Sequence, residues 1–362
     1  MKVIIAGGGT GGHLFPGIAI AEEFLRRDQA SSVLFIGTKK GLEQRVLGSM
    51  GFNLHTLDVE GIKGKAIVKA LGALLKIPRS LIESSRLIRT FCPDIVIGVG
   101  GYASGPAVMA ACFMGVKTAI AEQNALPGIT NRILGKFVDR IFVTFPETKK
   151  WFPEKKIIAS GNPVRAAFLT RIREAEKRAG KFTVLIFGGS QGARGINKAV
   201  LDSLPYLTEI KDNLKIIHQT GRADVDSLSA HYRSHGMDTD VLPFIMDMAR
   251  AFRSADLIIC RAGATSIAEI TASGKAAILI PFPHAADDHQ TKNAEALIKA
   301  GAAVMIRERD VSGKMLAESI EKFYRHPDLI KEMEARSASL GNVRAAADIV
   351  DACVGLITLR NL

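Results

Sequence analysis

One pattern occurs twice in this chain, half a chain apart, and it constrains the fold more than any other feature. Four apolar residues run into a glycine-rich turn and a helix-like segment, first at Val3–His13 and again at Val184–Ala193. Such apolar runs are typical of buried parallel strands, and glycines let backbone N–H groups approach an anion at a helix N-terminus. Each turn is a candidate phosphate site, and two similar α/β domains are expected, with their turns facing one cleft.

The length of 362 residues suits two such domains, and 47% hydrophobic with 23% charged residues indicates a folded chain. Apolar runs alternate with helix-like segments, which predicts parallel sheets covered by helices on both faces. Further strands are predicted at 33–36, 95–99, 118–121, 141–143, 183–187, 215–218, 241–244, 257–260, 277–280 and 303–306. The turn-forming trio Gly161-Asn162-Pro163 places the domain seam between 1–163 and 164–341. The helical pattern after residue 342 is expected to pack on a domain surface.

Cysteine usage and the termini favour a reduced, cytoplasmic compartment. The four cysteines show no CxxC spacing and lie in apolar stretches. The apolar run before the first glycines has four residues, too few for the core of a signal peptide. The uncharged stretch 95–116 is interrupted by glycines and Pro106, so it is interpreted as strand, loop and buried helix instead of a membrane span.

The net charge of +12 is concentrated in the first domain. Residues 1–163 hold 21 Lys and Arg against 12 Asp and Glu, which favours an extended anionic partner, either nucleic acid or a membrane surface. In residues 62–89 basic side chains flank an apolar pattern, as in an interfacial membrane helix; an ordinary amphipathic helix on the sheet explains the pattern equally well. Few aromatic residues interleave with the basic ones, which disfavours a stacking platform for single-stranded nucleic acid.

The first glycine turn satisfies the GxGxxG pattern of dinucleotide-binding domains. The second predicted strand, however, ends in Thr38-Lys39-Lys40 without the carboxylate that holds a ribose, so NAD binding is disfavoured, and nothing beyond the lysine pair supports NADP. His13 follows the turn at the mouth of a site. This position favours a general base over a helix-start residue satisfied by backbone hydrogen bonds.

The second half carries three candidate polar segments. Small residues in Arg261–Glu269 lead from a strand into a helix, where Glu269 can accept hydrogen bonds from vicinal hydroxyls; an exposed surface glutamate explains it equally well. The loop His284–Gln290 lacks metal-ligand spacing, so it is interpreted as a sugar-binding loop in which Gln290 offers a donor and an acceptor. After the turn at the seam, Arg165 is suited to a diphosphate leaving group.

Two Asp-x-Asp triplets are also present. The pair Asp224 and Asp226 is interpreted as a helix start, and the pair Asp238 and Asp240 as a turn. Neither is assigned to a metal, and no metal or other cofactor is expected, because helix N-termini and an arginine can stabilise a diphosphate.

Taken together, these strings closely resemble the MurG family, the UDP-N-acetylglucosamine:lipid I N-acetylglucosaminyltransferases of bacterial peptidoglycan synthesis. The matching strings are GGTGGH at 8–13, GGYASGP at 100–106, EQN at 122–124, GNPVR at 161–165, GGSQGA at 188–193, the 261–269 segment and HAADDHQ at 284–290. Their order and spacing span nearly the whole chain. The resemblance implies the GT-B fold, two Rossmann-like doubly wound domains facing a cleft, with helix 342–362 returning to the first domain.

The resemblance also implies roles for individual residues. By the family's pattern the donor UDP-N-acetylglucosamine would be bound by Thr10, Gly11, Gly12, Asn124, Arg165, Ser190, Gln191, Ile245, Ala264, Thr265, Glu269 and Gln290. The lipid diphosphate of the acceptor would be bound by Gly100, Gly101, Tyr102, Ser104 and Gly105. His13, or a group it orients, would take the proton from the 4-hydroxyl of the acceptor as UDP leaves with inversion.

The expected partners follow from the same resemblance: UDP-N-acetylglucosamine, lipid I, the anionic membrane surface at the cytoplasmic face, and cell-wall and division complexes, with no nucleic acid. Two alternatives stay open on the residues alone. One is a UDP-N-acetylglucosamine epimerase of similar fold, and the other is a non-catalytic nucleotide- or RNA-binding module.

Overall fold

A computed structural model describes residues 1–38, 43–59, 67–169, 180–189, 191–285 and 288–358. The chain divides into two compact units. The first comprises Met1–Arg165 with Asn342–Leu362, and the second comprises Ala166–Gly341. Each unit is built on its own parallel sheet.

The first unit contains a seven-stranded sheet in the order β3-β2-β1-β4-β5-β6-β7. Its strands are β1 (Lys2–Ala6), β2 (Ser32–Thr38), β3 (Asn53–Leu57), β4 (Ile95–Gly98), β5 (Lys117–Glu122), β6 (Arg140–Val143) and β7 (Ile157–Ile158). Its first five helices are α1 (Gly11–Arg27), α2 (Glu43–Ser49), α3 (Ile67–Phe91), α4 (Ser104–Phe113) and α5 (Ile129–Leu134). The stretch 95–116 thus forms strand, loop and helix, as the sequence predicts.

The second unit contains a six-stranded sheet in the order β10-β9-β8-β11-β12-β13. Its strands are β8 (Phe182–Phe187), β9 (Leu214–Gln219), β10 (Asp238–Leu242), β11 (Leu257–Cys260), β12 (Ala276–Leu279) and β13 (Val304–Met305). Its helices are α6 (Ala166–Leu169), α7 (Arg194–Ser203), α8 (Val225–Ser234), α9 (Met248–Ser254), α10 (Ala264–Ala272), α11 (His289–Lys299), α12 (Gly313–Arg325) and α13 (Pro327–Leu340).

The opening strand of each unit is buried on both faces, as its apolar run predicts. In β1, Val3 and Ile5 join the cluster on one face of the sheet, and Ile4 and Ala6 join the cluster on the other. Successive side chains of a strand point to opposite faces, so only a strand covered on both sides can be apolar at every position.

A C-terminal helix, α14 (Ala345–Thr358), completes the first unit. Its apolar face, which includes Ile349 and Cys353, joins the same cluster as α1. The Arg27 guanidinium on α1 donates hydrogen bonds to the Asp351 carboxylate and the Ala347 carbonyl. Arg27 holds the pKa of the Asp351 carboxyl below its usual range. The last helix is therefore tied to the first by apolar packing and an ion pair.

The interpretation of Asp238-Thr239-Asp240 as a turn is wrong. These residues open the edge strand β10, whose Asp238 and Asp240 carboxylates pair with Lys181 and Lys215. Exposed and half-buried residues alternate along β10. Because its first residues are polar and form no apolar run, the sequence predicted a turn there. The other triplet lies where expected, since Asp224 is the N-cap of α8.

Candidate active site

Both units place their glycine turns at the same topological position. In each sheet the chain runs from the central strand to one side and returns on the other, so β1 lies between β2 and β4, and β8 lies between β9 and β11. Ligands of doubly wound sheets bind outside the carboxyl ends of the strands at this switch point. Both glycine turns follow the carboxyl end of such a strand.

The first turn is shaped by two glycines in the left-handed region. Gly8 has φ +138° and Gly9 has φ +89°, and a Cβ atom at Gly9 would meet no atom within 4 Å. Thr10 is the extended N-cap of α1, whose first turn carries no acidic residue. The open face of Gly9 and the helix N-terminus therefore leave room for a ligand.

His13 lies in the first turn of α1 and is half-buried. Thr10 Oγ1 lies within hydrogen-bond distance of His13 Nδ1, at 3.3 Å. The imidazole ring packs on the backbone of Gly100, where a Cβ atom would lie 2.6 Å from His13 Cδ2 and 2.9 Å from Nε2. The orientation of the ring is thus set by a hydroxyl on one side and by a glycine backbone on the other.

The Gly100–Gly105 loop follows β4 and lies against the first turn. Gly100 and Gly101 have φ of +91° and +81°, and a Cβ atom at Gly101 would overlap the Gly8 carbonyl oxygen. Tyr102 is exposed, while Ser104 is buried at the start of α4, where its hydroxyl has no hydrogen-bond partner among the described residues. The structure thus brings Gly100 against His13 and Gly101 against Gly8.

Sequence reasoning missed a buried carboxylate behind this turn. Glu43, at the start of α2, accepts hydrogen bonds from the Gly9 amide at 2.5 Å and from the Thr38 hydroxyl at 3.3 Å. Its side chain occupies the space that a Cβ atom at Gly8 would need. One amide of the first turn is therefore already satisfied within the chain. The turn is less free to bind a phosphate than its glycines suggest.

A second buried carboxylate shapes the loop that carries Asn124. Glu122, at the end of β5, accepts hydrogen bonds from the backbone amides of Asn124 and Gly128 and from the Asn131 side chain. Burial raises the pKa of the Glu122 carboxyl. The Asn124 carbonyl in turn accepts a hydrogen bond from Thr148. Asn124 is thus held at the same sheet edge as the two glycine turns of this unit.

The turn after β8 shares one feature with the first. Gly189 has φ +94° and open space beside it, while a Cβ atom at Gly192, with φ +78°, would overlap the Thr220 carbonyl oxygen. Gln191 is exposed, and Ser190 lies outside the described residues. Both units thus have a glycine at positive φ with open space beside it, Gly9 in the first and Gly189 in the second.

The other expected donor residues of the second unit lie at the same sheet edge. Ile245 follows β10 and is buried, and Ala264, Thr265 and Glu269 lie on the first turns of α10, after β11. Glu269 is buried, so its interpretation as an exposed surface glutamate is wrong. Gln290, at the start of α11, accepts a hydrogen bond from the Phe282 amide at 2.9 Å.

Arg165 belongs to the first unit. Its guanidinium lies 4.1 Å from the centroid of the Phe15 ring. Phe15 is on α1, two residues after His13.

The structure does not describe residues 286 and 287 of the loop 284–290. The described residues contain no group of three acidic, histidine or cysteine side chains able to hold a metal ion.

The two doubly wound units have the GT-B fold, and two glycosyltransferase domains match the chain, so it is a glycosyltransferase of the GT-B class. The N-terminal domain of glycosyltransferase family 28 matches residues 3–143, and the C-terminal domain of the same family matches residues 183–351. The chain belongs to glycosyltransferase family 28.

The chain is similar to three known proteins, two in sequence and fold and one in fold alone. The chain is 62% identical, over 99% of both chains, to the UDP-N-acetylglucosamine–N-acetylmuramyl-(pentapeptide) pyrophosphoryl-undecaprenol N-acetylglucosamine transferase of Syntrophus aciditrophicus (strain SB). The crystal structure of MurG from Acinetobacter baumannii is 32% identical, covers 98% of this chain and 99% of that one, and gives a TM-score of 0.75. UDP-GlcNAc 2-epimerase from Neisseria meningitidis, bound to UDP-GlcNAc, covers 98% and 100% of the two chains at a TM-score of 0.69 but is 13% identical, which shows a shared fold alone. The predicted family and enzyme class are confirmed.

Proposed function

We propose that this enzyme transfers N-acetylglucosamine from UDP-N-acetylglucosamine to the 4-hydroxyl of N-acetylmuramic acid in lipid I, forming lipid II through a β(1→4) bond. The 62% identity to a transferase of that name over nearly the whole chain is the observation that carries the proposal. The epimerase alternative is not favoured, because its similarity is confined to the fold.

The first unit supplies the acceptor side of this reaction. His13, held by Thr10 and by the backbone of Gly100, takes the proton of the attacking hydroxyl, since a histidine is well suited to proton removal near neutral pH. The Gly100–Gly105 loop offers backbone N–H groups and the start of α4 to the lipid diphosphate. Asn124, on the loop held by Glu122, contacts the donor sugar.

The second unit holds the donor. The turn 188–192 and Arg165 of the first unit bind the diphosphate, whose negative charge increases as the glycosidic bond breaks. Ile245 and the start of α10 flank the uracil, Glu269 accepts hydrogen bonds from the ribose hydroxyls, and Gln290 contacts the sugar.

The reaction is tested with the full chain, UDP-N-acetylglucosamine and a lipid I analogue, by following UDP release and product mass with and without a chelator. We expect UDP release only when the acceptor is present, a disaccharide product, and no loss of activity on chelation. Epimerised sugar formed without an acceptor would overturn the proposal, and complete loss on chelation would overturn its metal-free form.

We infer that the first unit also docks on an anionic membrane, which is where a polyprenyl-linked acceptor resides. Among the described residues, seven of the fifteen exposed large apolar side chains lie between positions 82 and 151, including Phe113 at 76% and Ile129 at 65% exposure. Exposed Lys136, Lys149 and Lys150 lie in the same segment, and Arg132 stacks on Trp151. Apolar side chains flanked by cations suit the headgroup region of an anionic leaflet.

The described helices include none long and apolar enough to cross a bilayer. The predicted interfacial segment 62–89 coincides in part with α3, and residues 62–66 lie outside the described part. The docking proposal therefore rests mainly on the exposed apolar side chains of α4 and α5, such as Phe113 and Ile129. We propose that the enzyme is a peripheral protein at the cytoplasmic leaflet, with cell-wall and division complexes as its partners.

Replacing Phe113 and Ile129 with glutamate is expected to reduce binding to anionic phospholipid vesicles about tenfold or more, because apolar burial is lost and negative charge is added. Vesicle sedimentation measures the bound fraction. The matched control is Tyr206→Glu with Met315→Glu, two exposed apolar residues of the second unit that give the same change in charge. Equal binding by the two double variants would contradict docking through the first unit.

A further inference from the structure

Gln219 is the last residue of β9 and connects the loops that follow both neighbouring strands. Its register partners are Phe187 at the end of β8 and Leu242 at the end of β10. The Gln219 side chain, only 1% exposed, donates from Nε2 to the Gly189 carbonyl at 2.7 Å. Its Oε1 accepts a hydrogen bond from the Ile245 amide at 3.0 Å. A single amide side chain therefore joins two separate loops.

Glutamine satisfies both contacts with one uncharged side chain. The Gly189 carbonyl accepts from its amide nitrogen, and its amide oxygen accepts from the Ile245 N–H. An ionised glutamate would place an acceptor against the Gly189 carbonyl, and a methionine of similar size would leave two buried backbone groups unpaired.

The packing around Gln219 leaves these loops little freedom to adjust. A Cβ atom at Gly192 would overlap the Thr220 carbonyl, and one at Gly221 would overlap the Gln191 carbonyl. The Thr220 carbonyl also accepts a hydrogen bond from Asn197 on α7. The glycine turn is thus packed against the end of β9, and Gln219 extends that constraint to Ile245.

We infer that Gln219 is a positioning residue that fixes the spacing between the diphosphate-binding turn and the uracil-binding segment of the donor site. This inference rests on the proposed function, which assigns the turn to the diphosphate and Ile245 to the base. Gln219 itself is proposed to touch neither the diphosphate nor the base. By holding the two loops at a fixed distance, Gln219 lets a single ligand contact both, as UDP would. Its loss therefore weakens binding of UDP more than binding of uridine, which contacts only one of the loops.

The test compares UDP and uridine binding, by calorimetry and competition, in the full-length wild type, Gln219→Met and Gln219→Asn. We expect the Kd for UDP to rise about tenfold in Gln219→Met, as for the loss of one to two buried hydrogen bonds, while the Kd for uridine changes less than about threefold. The KM for UDP-N-acetylglucosamine should rise in parallel, with kcat at saturation little changed. Gln219→Asn keeps the amide but is one methylene too short to reach both loops, and it should show the same selective loss if Gln219→Met does not fold.

The matched control is Ser203→Ala, which removes a buried hydrogen bond from the Ser203 hydroxyl to the Val200 carbonyl at the C-terminal end of α7, outside the proposed donor site. It should leave the ratio of UDP to uridine affinity unchanged. If UDP and uridine weaken in equal proportion in the Gln219 variants, or neither weakens, the positioning role is overturned. A wild-type chain that fails to bind UDP would instead overturn the proposed function.

Discussion

Replacing His13 with alanine is expected to lower kcat about 10²- to 10⁴-fold, the usual contribution of a general base, while the Kd for UDP changes little. The imidazole lies in the first unit, whereas the residues proposed to bind uracil and ribose lie in the second. Turnover is measured as acceptor-dependent UDP release under saturating donor and acceptor, and UDP affinity is measured by calorimetry.

The matched control for this change is His55→Ala. His55 lies in the same unit, on β3, and its Nε2 lies 3.0 Å from Glu83 Oε1. Its removal is expected to leave kcat within about twofold, because a partly exposed pair of this kind contributes little to stability. Wild-type kcat in His13→Ala would exclude His13 from the proton transfer. A large rise in the Kd for UDP would indicate a donor-binding role instead.

The strands that could be predicted from sequence carry an apolar run, and most of them are buried on both faces; β13 (Val304–Met305), predicted at 303–306, is a half-buried edge strand. The runs at 95–99 and 257–260 are apolar at every position because helices cover both sides of those strands. The edge strands β3 (Asn53–Leu57) and β7 (Ile157–Ile158) were missed, and β10 was taken in part for a turn. β3 and β10 are partly solvated and have no continuous apolar run, and β7 is only two residues long.

Some residues of the candidate site could likewise be predicted from sequence, and others could not. Motif residues such as His13 and Gly189 follow strand ends, and a parallel sheet brings all carboxyl ends to one edge, so their positions follow from local sequence. Glu43 and Gln219 act on turns that lie 34 and 30 residues away in the chain. Nothing in the local sequence signals such contacts, and only the folded backbone brings the partners together.

The contact between the two glycine turns of the first unit leads to the second large expected effect. Gly101→Ala places an L-amino acid at φ +81° and brings its Cβ atom into the Gly8 carbonyl oxygen. Because the clash is with backbone atoms, no side-chain rotation can relieve it. Strain from positive φ and from overpacking each cost roughly 1–3 kcal/mol, so a loss of about 3 kcal/mol of stability is expected. For a unit of this size that corresponds to a Tm lowered by roughly 6–12 °C, which calorimetry measures.

Gly115→Ala separates the two causes of that loss. Gly115 has a similar φ of +67° in the same unit, but a Cβ atom there meets nothing within 4 Å, so only the backbone strain of about 1–2 kcal/mol applies. Gly101→Ala should therefore lower the Tm clearly more than Gly115→Ala. It should also lower kcat, because displacing Gly8 shifts the turn that carries Thr10 and His13. Equal Tm shifts, with kcat unchanged in both variants, would mean that the two turns do not constrain each other.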